Sequence, residues 1–394
     1  MMGCGNIALL LVAAALPASA DDLSGQRPPD RIERSYPVGA AEVVSVDVEL
    51  GGDDVESATT IKAEDRRLLA RDVRVPRGGS QIVRFLVSTR HPCIPPADGG
   101  PAATVGLKPR EKGSASWDDH LSLEFLGEHP RVRRVTIGPV QREDVTMVFV
   151  AGDSTVTDQG SEPFAGWGQM LPAFFGPRAC VANLAQSGLT LDSFERQRRL
   201  AKILADMRPG DFVLVQFGHN DQKDKREGAG AFTTYAEGLR RYVEAIRSRG
   251  GRPVLVTPVA RRRFDSDGSV VESLGDFPEA VRRVAAEQGV PLVDLNAASK
   301  QLYQALGKER SKLAFVHGSF PGRREPLKDD SHFSNYGAYE IARCVVEAVR
   351  TAVPELAALL RSAVGPFDPS QPDDLATVTI PPSPPHSAEV PDGS

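Results

Sequence analysis

From residue 147 onward the chain alternates short, unbroken apolar runs with stretches of helical periodicity, and this alternation narrows the fold most. The runs fall at 148–150, 180–184, 212–217, 253–256 and 291–295. A strand with no polar face must be covered on both sides, which is the condition of a parallel sheet. The helical stretches that would cover it lie at 166–175, 191–207, 233–248 and 277–288, with a last long one at 338–349 and a short one at 354–360. In the second of these, Leu200, Ile203, Leu204 and Met207 share one face, as an amphipathic helix on a sheet requires. The fold class expected is α/β, a three-layer α/β/α domain on a parallel sheet over residues 146–363.

The preceding region has a different rhythm. Between residues 36 and 140 the candidate strands are 43–50 (VVSVDVEL), 81–88, 121–126 and 133–140, separated by Gly-, Pro-, Asp- and Ser-rich turns. Alternation of apolar and polar residues marks strands with one face buried. An all-β sandwich-like domain over residues 30–143 is the expectation. Trp117 and His120 suit either a sugar contact or a structural loop. Residues 364–394 are Pro- and Asp-rich, carry PPSPP and have almost no large apolar residue after Ile380; such a segment has little to bury, and disorder is expected.

At the other end, an apolar stretch at 7–16 precedes Pro17 and the small residues Ala18, Ser19 and Ala20. This is the pattern of a secretory signal over residues 1–20, and the run is too short to span a bilayer. A secreted or periplasmic location follows as an expectation, with no stable membrane insertion. The formal charge of -5 and an aromatic content of 6% give no footprint for nucleic acid, which needs a basic excess. With Cys4 in the leader, the remaining Cys93, Cys180 and Cys344 form neither a disulfide framework nor a metal-ligand spacing. Cys180 and Cys344 sit in apolar runs and read as small buried residues.

The polar residues of interest follow the apolar runs, where ligands of an open α/β sheet bind, beyond the carboxyl ends of the strands. Ser154 comes directly after the first run. A hydroxyl becomes a useful nucleophile when a base lies within hydrogen-bond reach and a third group orients that base. His332, with Asp329 three residues before it, supplies both in a loop ahead of the last long helix. Asp330 is the alternative orienting carboxylate. Donors for a developing oxyanion are available after three different strands: the Ser154 amide, the Gly188 amide and the Asn220 side chain.

The blocks Gly152-Asp153-Ser154-Thr155, Gly188, Gly218-His219-Asn220-Asp221 and Asp329-Asp330-Ser331-His332-Phe333 resemble the four signatures of the SGNH/GDSL hydrolases, and in detail the rhamnogalacturonan acetylesterase branch. The resemblance covers about residues 147–349. It implies Ser154 as nucleophile, His332 as base, Asp329 as its support, and an oxyanion hole of Ser154, Gly188 and Asn220. It implies no cofactor and no metal, and as partner an acetylated polysaccharide or oligosaccharide, rhamnogalacturonan or another pectin. A xylan acetylesterase, a lipase- or thioesterase-like SGNH hydrolase, an O-acetyltransferase and an inactive carbohydrate-binding protein are the alternatives. One departure stands out: many members of the branch carry Arg after the second-block Gly, where this chain has Leu189. Around the site, Asp153 suits a turn, His219 the cleft or its supporting loop, and Phe164 and Trp167 a pocket wall or core. His317, Arg323, Arg324 and the run Arg261-Arg262-Arg263 suit either the rim of the site or a solvated charge cluster.

Overall fold

The computed structural model describes residues 19–22, 31–39, 42–52, 54–96, 101–384 and 389–392. The apolar stretch read as an export signal lies outside the described residues. Among those described, no helix is long and apolar enough to cross a membrane.

The first unit is built from strands β1 (Ser19–Asp22), β2 (Arg31–Pro37), β3 (Val43–Gly51), β4 (Ser57–Ala63), β5 (Arg67–Val75), β6 (Ser80–Ser88), the short pair β7 (Cys93–Ile94) and β8 (Ala103–Thr104), then β9 (His120–Leu126) and β10 (Val132–Pro139). Two four-stranded antiparallel sheets form, in the orders β1-β10-β3-β6 and β2-β9-β4-β5. In β3 the residues Val44, Val46, Val48 and Leu50 are fully buried while Ser45, Asp47 and Glu49 turn outward. They meet Ile61, Leu121, Leu123 and Phe125 of the facing sheet in a common apolar core. This is the expected sandwich, with β1, β2, β4 and β5 as strands that the alternation had not marked; Ser19 and Ala20, read as the end of a leader, pair here with Ile137 and Thr136.

The second unit has five parallel strands, β11 (Thr146–Gly152), β12 (Ala179–Asn183), β13 (Phe212–Gln216), β14 (Arg252–Val256) and β15 (Leu292–Val293), in the order β12-β11-β13-β14-β15. Its helices are α1 (Trp167–Met170), α2 (Leu191–Arg196), α3 (Arg199–Asp206), α4 (Ala236–Ser248), α5 (Phe277–Gln288), α6 (Leu295–Arg310), α7 (Asn335–Ala352) and α8 (Pro354–Ala357). Successive side chains of a strand point to opposite faces. Val148 and Val150 therefore join the core under α1, α6 and α7, and Met147, Phe149 and Ala151 the core under α2 to α5. The layers are α/β/α, as expected. Two details differ. The stretch 191–207 is two helices, broken where Arg198 adopts φ 60°, and α6 arises where no long helix was expected, capped by the Asp294 side chain. Cys180 and Cys344 are free and buried.

Strand β11 lies between β12 and β13, so the chain leaves its carboxyl end at the point where the strand order reverses. Crevices for ligands open at such points. A two-stranded antiparallel hairpin, β16 (Phe315–Gly318) and β17 (Leu327–Phe333), returns to this place, fixed to the loop after β11 by the Ala165 N–H donating to Phe333 O at 2.9 Å.

The two units share a charged seam. Arg90 Nη2 lies 3.0 Å and Arg67 Nε 3.3 Å from Asp158 Oδ2. Arg66 pairs with Glu162 and donates to the carbonyls of Gln159 and Phe164. Leu68 of β5 enters the core of the second unit.

Residues 364–384, expected to be disordered, are a correction. Phe367, Val378 and Ile380 are buried in the core of the α/β unit. The Tyr336 hydroxyl donates to Asp373 O, and Lys62 Nζ donates to Pro381 O at 2.6 Å and to Ser383 Oγ at 2.8 Å. Few apolar residues suffice because all three join one existing core, and backbone carbonyls, which composition does not register, supply polar contacts.

Candidate active site

Gly152 ends β11 with no room for a side chain, since a Cβ there would stand 2.5 Å from Val156 Cγ2 and 2.9 Å from Gln216 O. The turn that follows is held by Asp153, whose Oδ1 accepts from Thr155 N at 3.0 Å and from Thr155 Oγ1 at 2.8 Å. Gln216, at the end of β13, donates to Thr155 Oγ1 and accepts from Trp167 Nε1, both at 2.8 Å. Asp153 is thus a turn-former and Trp167 a core residue. The Ser154 side chain is delivered to the strand end.

Asp329, Ser331 and His332 form a tight turn in β17. Asp329 Oδ1 accepts from the amides of Ser331 (2.8 Å) and His332 (2.9 Å), and Oδ2 lies 2.7 Å from His332 Nδ1. Burial opposes the charge on Asp329, but the His332 imidazole and these amides outweigh it and hold the carboxyl below its ordinary value. An ionised carboxylate only accepts, so Nδ1 carries the proton. His332 Nε2 is then an acceptor, 3.0 Å from Ser154 Oγ. Phe164 sets its ring edge-on to the imidazole, 6.0 Å between centroids. Ser154 and His332 are each 1% exposed.

Asp330, the alternative carboxylate, is engaged elsewhere. Its Oδ1 accepts from Arg262 Nη1 and from His317 Nε2, each at 2.8 Å. Arg262 and His317 therefore fix the hairpin and do not line a rim. Arg261 lies nearer, its Nη2 donating to His219 O at 3.4 Å; burial lowers its pKa while Asp153 and Asp329 oppose that. Arg324 is exposed and Arg323 half-buried on the hairpin loop.

Gly188 takes φ +76°, the left-handed region that a residue without Cβ enters at low cost. Leu189 is 1% exposed in the core under α2 and α4, so the residue after Gly188 packs inward. Asn220 Nδ2 donates one hydrogen to Leu189 O at 3.0 Å, which leaves the second. Below it, Asp221 accepts from Leu191 N and Gly218 N at 3.0 Å; burial raises its pKa to about 7. Burial lowers the His219 pKa to about 4, and its Nε2 donates to Val259 O at 2.8 Å. His219 is neutral near pH 7 and braces the Asn220 loop from beneath. Beyond Asn220 opens a cleft of about 480 Å³ bordered by Thr190, Lys223, Arg226 and Arg241.

In the sandwich, Trp117 is buried. Its Nε1 donates to Glu111 Oε1 at 3.1 Å and its ring faces the guanidinium of Arg90, which makes it structural. His120 is exposed and bonded to Asp119. The sequence does not single out Arg66, Arg67 and Arg90, which brace the loop after Ser154, or Lys108, which approaches Gly188, or Arg110, which joins it on Asp392. An Arg in a β-rich stretch carries no local sign that it crosses to another unit.

Residues 150–338 match the family described as GDSL-like Lipase/Acylhydrolase. The rhamnogalacturonan acetylesterase RhgT of Bacillus subtilis is 40% identical over 210 residues, covering 51% of this chain and 88% of that protein. This chain belongs to the SGNH/GDSL hydrolase family. It is accordingly a carboxylic ester hydrolase. A probable rhamnogalacturonan acetylesterase of the same organism, YesY, is 34% identical over 52% of this chain and 92% of its own length. A crystal structure of Bacillus subtilis YxiM aligns with 81% of this SGNH hydrolase and 79% of that chain at 23% identity, with a TM-score of 0.48.

Proposed function

We propose that this SGNH hydrolase removes O-acetyl groups from rhamnogalacturonan or a related pectic polysaccharide. Its nucleophile is Ser154, its base His332 and its orienting carboxylate Asp329. The observation that carries this reading is the continuous relay Asp329–His332–Ser154, with contacts of 2.7 Å and 3.0 Å. His332 takes the hydroxyl proton as Ser154 Oγ attacks the acetyl carbonyl. The negative oxygen is held by the amides of Ser154 and Gly188 and the free hydrogen on Asn220 Nδ2. The sugar hydroxyl leaves with the proton from His332, and water, deprotonated by the same nitrogen, releases acetate from the acyl-enzyme. Asp329 stays ionised throughout, and its depressed pKa suits that role. The pectic substrate rests on the names of RhgT and YesY, and the leader-like residues 1–20 support action outside the cytoplasm.

Acetate release from acetylated rhamnogalacturonan, homogalacturonan and xylan, and from short and long p-nitrophenyl esters, tests this directly. Release is expected to be greatest on rhamnogalacturonan and to fall at least about 10⁴-fold in Ser154→Ala. Preference for long acyl chains would move the enzyme to the lipase-like reading, and equal rates with and without Ser154 would end the proposed mechanism.

A further inference from the structure

The end of the chain lies against the segments that flank Ser154 and His332. Val390 packs against the apolar cluster of Phe164, Val316 and Leu327, on the side where Phe164 abuts His332. Two residues on, Asp392 lies over Gly188 so closely that a Cβ on the glycine would stand 2.7 Å from Asp392 Cβ. Residues 390–392 thus span the mouth from the imidazole side to the oxyanion side. The Asp392 carboxylate is gripped by two cations: Lys108 Nζ lies 3.0 Å from Oδ2 and Arg110 Nη2 2.5 Å from Oδ1. Lys108 is also fixed from below, donating to Ser187 O, next to Gly188.

Lys108 and Arg110 come from the loop between β8 and β9 of the sandwich unit, so they belong to no element of the hydrolase sheet. One cation meets each carboxylate oxygen, and the lysine is aimed by a carbonyl of the Gly188 loop. A carboxylate held beside an oxyanion hole stands where the acid group of a sugar neighbouring the scissile acetyl would lie.

We propose that Lys108 and Arg110 form a carboxylate subsite for a uronic acid residue of the substrate, and that Asp392 occupies it in the absence of substrate. This rests on the acetylesterase reading above and adds to it the group by which an acidic glycan is recognised. Hydrogen bonds between ionised partners are about twice as strong as neutral ones, so the subsite favours acidic over neutral glycans. The tail competes as a tethered ligand, and its grip weakens as a real uronate displaces Asp392.

The test compares kcat/KM on acetylated galacturonate-containing oligosaccharides with that on acetylated xylo-oligosaccharides. A chain ending at Glu389 is expected to gain about fivefold or more on the acidic substrate, through KM. In that shortened chain, Lys108→Met and Arg110→Gln are each expected to lower the acidic-to-neutral ratio about tenfold. Arg110 is more exposed than Lys108, so Arg110→Gln remains informative if Lys108→Met disturbs the Gly188 loop. Equal losses on both substrates, or no gain on shortening, would overturn the subsite while leaving the esterase intact. If no substrate yields Ser154-dependent acetate, the acetylesterase reading fails; the subsite is then decided by calorimetric titration with unacetylated galacturonate oligosaccharide. Binding that is tighter in the shortened chain and lost in Arg110→Gln supports it, and absence of binding to the shortened chain refutes it.

Discussion

Strand β4 of the sandwich and strand β11 of the α/β unit are both buried along nearly their whole length, for different reasons. In β11 the run from Met147 to Ala151 is apolar and covered by helices on both faces, so its side chains are held by hydrophobic burial. In β4 the buried residues include Thr59, Thr60 and Lys62, each needing a partner. Thr60 Oγ1 accepts from Asp72 N, Thr59 Oγ1 from Arg131 N, and Lys62 reaches Pro381 and Ser383. The apolar strand ends in a rigid turn that presents chemistry, and the polar strand ties distant parts of the chain together. Asp329 and His332 of the α/β unit converge on Ser154, whereas Arg66, Arg67 and Arg90 of the sandwich meet Asp158 and Glu162 at the seam behind it.

That division predicts that changes at the strand ends cost rate and changes at the seam cost stability. After Ser154→Ala, the largest effect expected is Asp329→Asn, with a fall in kcat of about 10³- to 10⁴-fold, while Asp330→Asn stays within about tenfold. Similar losses from both would show that the hairpin's architecture, and not the relay, limits turnover. Asn220→Ala is expected to lower kcat about 10²- to 10³-fold with little change in melting temperature. On the sandwich side, Arg90→Met leaves Asp158 short of one cation in a buried site and is expected to cost about 3 kcal/mol in denaturant unfolding. A loss of activity without a loss of stability would break the proposed division. The smallest effect is a pH dependence. The folded pKa of His219 is about 4 against an ordinary 6.5, so between these values the unfolded chain binds more protons. The stability contributed by neutral His219 is present above 6.5 and is lost as pH falls towards 4. Relative to His219→Gln, the protein is expected to lose roughly 2–3 kcal/mol over that interval, read as a narrowing gap in melting temperature.

The parallel sheet was legible because its strands lack a polar face, and the five candidate residues could be singled out because each follows a strand or sits in a signature block. Strand β4 was not, since Ser-Ala-Thr-Thr-Ile-Lys-Ala has neither alternation nor an apolar run and is buried only through distant partners. Helix α6 was hidden by its sparse apolar positions, Leu295, Leu302, Tyr303 and Leu306, which form a face only against α7 and the sheet. The choice between Asp329 and Asp330 was decided in space, by Arg262 and His317 reaching Asp330 from other segments. Leu189 shows the same limit: its identity was plain, but only the backbone turn at Gly188 determines that it points inward.

The seam of Arg66, Arg67 and Arg90 against Asp158 and Glu162 also bears on how such a protein can be recombined. A hydrolase half grafted onto a different partner would carry Asp158 and Glu162 without their guanidinium partners on its newly bared flank, in the loop after Ser154. The orphaned sandwich would bare Arg66 and Arg90, while Arg67 would keep Glu64 and the Ser88 carbonyl. Productive shuffling is therefore expected to exchange matched faces, with the arginines inherited alongside the acids they neutralise.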